Sequence, residues 1–203
     1  MKLLGLGLAG LLAVLTAFVL ALSSSDAAAP GEGPFRGSEA MPGIRMPAFT
    51  LTDHLGRTLR SSDLRGQLTL LTFLDSQCTD ACPVIASALA RGLDSLSDDE
   101  RAQVVAVAIS TDPSEDTPTS VDRFLRARHA LGRVRYLVAP AGELRRLWKE
   151  FQILPSVQTK SDSLHSAPVR IYGRDGRWLA TLHAGADLTH INLLHDIRVA
   201  LSP

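Results

Sequence analysis

The chain has 203 residues, with 21 basic and 21 acidic side chains and no net formal charge. That balance removes the usual ground for a nucleic-acid partner, whose recognition rests on excess positive charge. The basic residues are mostly arginine, with lysine only at Lys2, Lys149 and Lys160, and their scatter reads as an ordinary solvated surface.

The first 42 residues do not read as part of a packed domain. Lys2 precedes the uncharged, largely apolar run Leu3 to Leu22, long enough to cross a bilayer as a helix and longer than the usual core of a secretory signal. Residues 1–23 are therefore expected to form a single membrane anchor, with cleavage after Ala21-Leu22-Ser23 as the alternative. No cysteine follows this run closely, so no lipid-modified cysteine is expected. The start lacks the arginines of a mitochondrial presequence. A bacterial inner membrane with the domain facing the periplasm is the expected setting, and there a disulfide can persist. Residues 24–42, rich in Ser, Ala, Gly and Pro, read as a flexible tether, and residues 43–203 have the length of one domain.

Within that domain strands and helices alternate. Ala48 to Thr52 and Thr58 to Leu59 flank a hairpin turn at Asp53 to Arg57, and Ser62 to Gly66 forms a connecting turn. Leu68 to Leu74 is an uncharged strand of the buried kind. Val84 to Leu96 places Ile85, Leu89, Leu93 and Leu96 at helical spacing, with Pro83 as the opening residue. Val104 to Ile109 is a second buried strand. The loop Ser110 to Pro118 leads to a helix from about Ser120 to Leu131. Val134 to Val138 is a third core strand, and Gly142 to Phe151 a helix with Leu144, Leu147 and Phe151 on its apolar side. Val169 to Tyr172 and Trp178 to Leu182 pair as a hairpin, and the last helix runs from about Thr189 to Leu201. This is the order of an α/β, thioredoxin-like fold with an N-terminal hairpin extension.

Cys78 and Cys82 are the only cysteines. They follow a strand and precede a helix, so a thiol there meets the positive end of a helix dipole, which favours the thiolate. Their i, i+4 spacing, read as a helical first turn, lets both sulfurs converge on one point. Convergent thiolates suit Cu(I), Zn or a reversible disulfide. A structural disulfide fits less well, because a bridge over so short a loop constrains the unfolded chain little.

Four segments resemble the Sco/SenC family of copper chaperones, tethered thioredoxin-like proteins of cytochrome c oxidase assembly. They are Cys78-Thr79-Asp80-Ala81-Cys82-Pro83, Asp112-Pro113-Ser114-Glu115-Asp116-Thr117-Pro118, His165-Ser166, and the turn Tyr172-Gly173-Arg174-Asp175-Gly176. The resemblance runs from about Pro47 to the C-terminus. It implies a copper site of Cys78, Cys82 and His165, and as partners the copper-accepting subunit of cytochrome c oxidase or another exported copper protein, together with thiol-disulfide partners. The chain departs from the family at Thr79, where proline is usual, at Leu74 to Gln77, where aromatic and glycine residues are common, and at Leu164, where an acidic residue precedes the histidine. Such changes alter the surroundings of the ligands, and so metal affinity, more than the ligand set.

Two sulfurs and one imidazole suit Cu(I), His165 would also serve Cu(II), and oxidation of the pair would release the metal. A membrane-tethered thiol-disulfide oxidoreductase is the alternative, with Cys78 attacking and Cys82 resolving. It needs the thiols but not His165, and Pro168 is its candidate cis-proline. A peroxidase rests on analogy of fold alone. Of the other histidines, His54, His129 and His195 read as structural or solvated, and for His183 and His190 both roles stay open. Ser110 to Pro118 and Gln152 to Leu164 are expected to be mobile loops around the site.

Overall fold

A computed structural model describes residues 33–153 and 168–202. Its strands are β1 (Ser38–Glu39), β2 (Thr50–Asp53), β3 (Thr58–Arg60), β4 (Leu68–Leu74), β5 (Val104–Ser110), β6 (Val134–Val138), β7 (Pro168–Tyr172) and β8 (Trp178–His183). They form one sheet in the order β1-β8-β7-β4-β5-β6-β2-β3. The centre is parallel, with Leu68 opposite Val104 and Leu74 opposite Ser110, and Ala106 of β5 opposite Val134 of β6. β7 runs antiparallel to β4, and the β2–β3 hairpin joins the far edge through β6. The mixed sheet with helices on both faces is a thioredoxin-like fold, and the hairpin is the expected extension.

All seven residues of β4 are buried, because each face of the sheet carries its own core. Leu68, Leu70 and Leu74 enter one core and Leu71 and Phe73 the other, the period of two that a pleated strand dictates. β5 repeats the division, with Val104, Ala106 and Ala108 on the first face and Val107 and Ile109 on the second. The first face is covered by α1 (Ala81–Asp94), α3 (Pro118–Ala127) and α5 (His190–Leu201), and the second by α4 (Ala141–Glu150) with a 3-10 turn at Ser61–Leu64. The short α2 (Asp98–Arg101) lies between α1 and β5. It is opened by a reciprocal cap in which Ser97 accepts from Glu100 N–H and Glu100 accepts from Ser97 N–H.

Three boundaries differ from the sequence reading. α1 begins at Ala81, not near Val84, so Cys82 and Pro83 lie inside its first turn. Proline is tolerated there because the first N–H groups of a helix have no internal acceptor. α3 begins at Pro118, where Thr117 Oγ1 caps Ser120 N–H at 3.2 Å, and stops at Ala127 because His129 adopts φ +54°. In that left-handed turn Ala130 N–H reaches back to Leu125 O at 2.8 Å.

The third difference lies in the expected tether. Ser38–Glu39 pairs with β8 through Thr181 and Ala180. Just before it, the Arg36 and Gly37 N–H groups donate to the Asp196 carboxylate at 2.7 and 2.9 Å. Asp196 is fully buried on α5, and such a carboxylate persists where hydrogen-bond donors meet it. Gly37 is required by close approach, since a Cβ there would lie 2.4 Å from Thr181 O. Residues 36–42 thus belong to the packed domain. The expected anchor and the rest of the tether, to residue 32, fall outside the described residues. Among the described residues no helix is long and apolar enough to cross a membrane.

Candidate metal and thiol site

β4 delivers the chain at Leu74 to the site, and the loop from Asp75 to Asp80 turns it into α1. Cys78 sits in this loop, its N–H bonded to Asp75 O at 3.2 Å, while Cys82 belongs to the helix. The sulfurs are therefore brought together by the loop and not by a shared helical turn as the spacing suggested. The Cys82 side chain lies within hydrogen-bond reach of Cys78, so the two sulfurs are neighbours.

The two thiols are unequal. Cys78 is half-buried, whereas Cys82 is 3% exposed and packs in the first core. Cys82 hydrogen-bonds to Cys78, and that bond, then burial, then the charge of Cys78 push the Cys82 thiol well above the ordinary range. Cys82 is accordingly the member that keeps its proton, and Cys78 the one that solvent can reach. Asp75 lies close enough to feel both. Burial raises its carboxyl, against the opposing Gln77 N–H at 2.7 Å, and Asp116, Asp112 and Cys78 raise it further by like charge.

Asp116, a residue the sequence reading placed only in a family-like loop, organises this end of the sheet. Its buried carboxylate accepts from Ser76 N–H at 2.8 Å, from Ser110 Oγ at 2.6 Å and from the Tyr136 hydroxyl at 2.8 Å. Leu74 O lies the same 2.8 Å from that hydroxyl, so one proton serves both acceptors. Tyr136 is entirely buried, and burial, then the charge of Asp116, raise its phenol well above the usual value. Ser120 Oγ extends the network by donating to Glu115 O at 2.6 Å, within 3.1 Å of Ser76 Oγ. The loop Ser110 to Pro118, expected to be mobile, is instead hydrogen-bonded to the thiol loop and to β6.

His165 lies outside the described residues, as do residues 154–164 of the second expected loop and the peptide bond between Ala167 and Pro168. Pro168 itself opens β7. Among the described residues no three His, Cys, Asp or Glu side chains converge as a metal site. Two adjacent sulfurs, one at a reachable edge, fit a soft cation such as Cu(I). His54, read as structural or solvated, is buried with neither ring nitrogen hydrogen-bonded. His195 Nδ1 lies 3.0 Å from Asp196, and His190 contacts Arg91.

A family model described as SCO1/SenC matches residues 39–202. The chain belongs to the SCO1/SenC family. Among curated relatives it is 33% identical over 98 residues to Protein SCO1 homolog 1, mitochondrial, of Arabidopsis thaliana, a stretch of 48% of this chain and only 28% of that protein. The copper-bound structure of ScoI from Bradyrhizobium japonicum superposes with a TM-score of 0.66 at 24% identity, over 78% of this chain and all of that one. BsSco, described as a member of the Sco family of cytochrome c oxidase assembly proteins and as carrying a disulfide switch, superposes with a TM-score of 0.66 at 19% identity, over 77% and 93% of the two chains. At these identities the two Sco structures establish the shared fold.

Proposed function

We propose that this SCO1/SenC protein is a copper-binding chaperone that delivers copper to, or matures, the copper centre of cytochrome c oxidase, with Cys78, Cys82 and His165 as ligands. The observation that carries this reading is the adjacency of two thiols, one buried and one reachable, at the end of the central strand. The relatives' copper-bound and oxidase-assembly descriptions support it. Copper is the cargo. Loading it displaces the proton held on Cys82 Sγ, and the exposed edge at Cys78 is where ligands of a client exchange in. Residues 1–23 would hold the domain at a bacterial inner membrane, facing the periplasm, and the remaining tether would raise its effective concentration near membrane-bound clients.

The inequality of the thiols favours a second reading, a thiol-disulfide oxidoreductase. Cys78 would attack a partner's disulfide, and Cys82 would displace the reduced partner and close the Cys78–Cys82 disulfide. Anaerobic Cu(I) titration of the reduced chain against a competing chelator separates the two. The chaperone reading expects one tight equivalent, lost in Cys78→Ser and weakened in His165→Ala. Absence of tight binding, with a rapidly exchanging disulfide, leaves the oxidoreductase.

A further inference from the structure

A groove beside the thiols is lined by neither Cys78 nor Cys82. It is a cavity of about 470 Å³ that starts at Pro83, the residue after Cys82. One wall is the face of α1 carrying Val84, Ser87 and Arg91, at the i, i+3, i+7 spacing of a helical stripe. Arg128, the C-cap of α3, and Thr189 and His190, at the start of α5, form the others.

Its charge is one-sided. No carboxylate lines it, and among the described residues neither Arg91 nor Arg128 has a carboxylate within ion-pair distance. Arg91 instead lies 3.3 Å from His190 Nε2, and Arg128 Nε is buried with no acceptor among the described residues. Cations gathered without counter-charge are an uncompensated cost in the isolated protein and an attraction for an anionic partner. The N-terminal ends of α1 and α5 border the groove and add positive potential, which the single C-terminal end of α3 at Arg128 offsets only in part. Val84 is 50% exposed within the groove and Ile191 65% exposed next to His190, so the cations are accompanied by apolar surface of the kind that polypeptide interfaces bury.

We propose that this groove docks an acidic segment of the client polypeptide, placing the client's cysteines against Cys78. The inference deepens the thiol-site reading and rests on it. A concavity that follows α1 from Pro83, the residue after Cys82, to Arg91 suits an extended acidic peptide better than a flat anionic bilayer, the other source of negative charge.

The test uses the reduced full chain in neutral detergent and two synthetic peptides. Each carries one cysteine as a mixed disulfide with thionitrobenzoate, flanked by glutamates in one peptide and by glutamines in the other. The Cys78 thiolate attacks the peptide sulfur and releases thionitrobenzoate with the electron pair of the broken bond. Cys82 then displaces the peptide as a thiol, so the protein is oxidised by two electrons and the disulfide reduced. The expected result is release about tenfold faster from the glutamate peptide at low salt, an advantage that shrinks at high salt. It should vanish in Arg91→Glu/Arg128→Glu and weaken in the milder Arg91→Gln/Arg128→Gln, while the glutamine peptide reacts at one rate throughout and so reports an intact fold and thiol. Equal rates for the two peptides, or an advantage that survives charge reversal, overturn the proposal. So does a charge-reversal-sensitive preference for phosphatidylglycerol over phosphatidylcholine vesicles without any peptide preference. Cu(I) titration of the same variants keeps the outcomes separable, since failure to bind copper sinks the chaperone reading and leaves the peptide comparison intact.

Discussion

Asp116 accepts the backbone N–H of Ser76 at 2.8 Å across forty residues of sequence. This bond joins the loop that follows β5 to the loop that carries Cys78. Because the same carboxylate also takes the Ser110 and Tyr136 hydroxyls, it fixes where the thiol loop leaves the sheet. Asp116→Ala should strand the Ser110 hydroxyl and the Ser76 N–H, leave the Tyr136 hydroxyl to Leu74 O alone, and cost about 1–3 kcal/mol. Asp116→Asn keeps the shape but turns one acceptor into a donor facing hydroxyls, and should cost a similar amount. Urea unfolding checks the loss. Cu(I) competition in the folded fraction should show weakened affinity at unchanged stoichiometry, and native affinity in both variants would contradict a positioning role.

The inequality of the thiols gives a kinetic prediction. Iodoacetamide should label the reduced protein at Cys78 first, because Cys82 is buried and holds its proton through the bond to Cys78. Time-resolved mass mapping should find Cys82 labelled at least about tenfold more slowly. Comparable rates would show that the helix opens readily at its first turn.

Asp53 sets part of the acid stability. Burial pushes its carboxyl up, but the Arg57 N–H at 2.9 Å, the Arg57 guanidinium at 2.9 Å and the Leu55 N–H at 3.0 Å outweigh it, leaving the group below its ordinary value. A depressed carboxyl contributes stability that is full above the unfolded-state value and is lost as pH falls through the folded one. Between about pH 6 and about pH 3, Asp53→Asn should therefore lose less stability than the native chain, with the urea midpoint as the readout. Parallel pH profiles would remove Asp53 from the acid response.

The core was legible because strands buried on both faces carry runs of seven uncharged residues, as in Leu68 to Leu74, and helices show apolar spacing, as in Ile85, Leu89 and Leu93. The thiol pair was legible from its chemistry and placement. Asp116 was not, since a carboxylate in a polar loop looks solvated until the hydroxyls of Ser110 and Tyr136, distant in sequence, fold onto it. The groove was missed for a similar reason. Arg91, Arg128 and His190 belong to three helical segments whose convergence has no periodic signal.

β1 escaped notice because Ser38 and Glu39 are both exposed and too few to show alternation, and a stretch rich in small residues reads as linker. What holds it is long-range, the capture of the Arg36 and Gly37 N–H groups by Asp196. A chain beginning at Gly43 should consequently be less stable than one beginning at Gly33, losing both bonds and the pairing with β8. At about 1–3 kcal/mol for hydrogen bonds to a charged group, the melting temperature should fall by roughly 2–10 °C. Asp196→Ala in the longer chain should reproduce much of that loss, because it removes the same acceptor while leaving the segment in place. Calorimetry of the three chains checks it, and equal melting temperatures would mean that residues 33–42 add nothing to the stability of the domain.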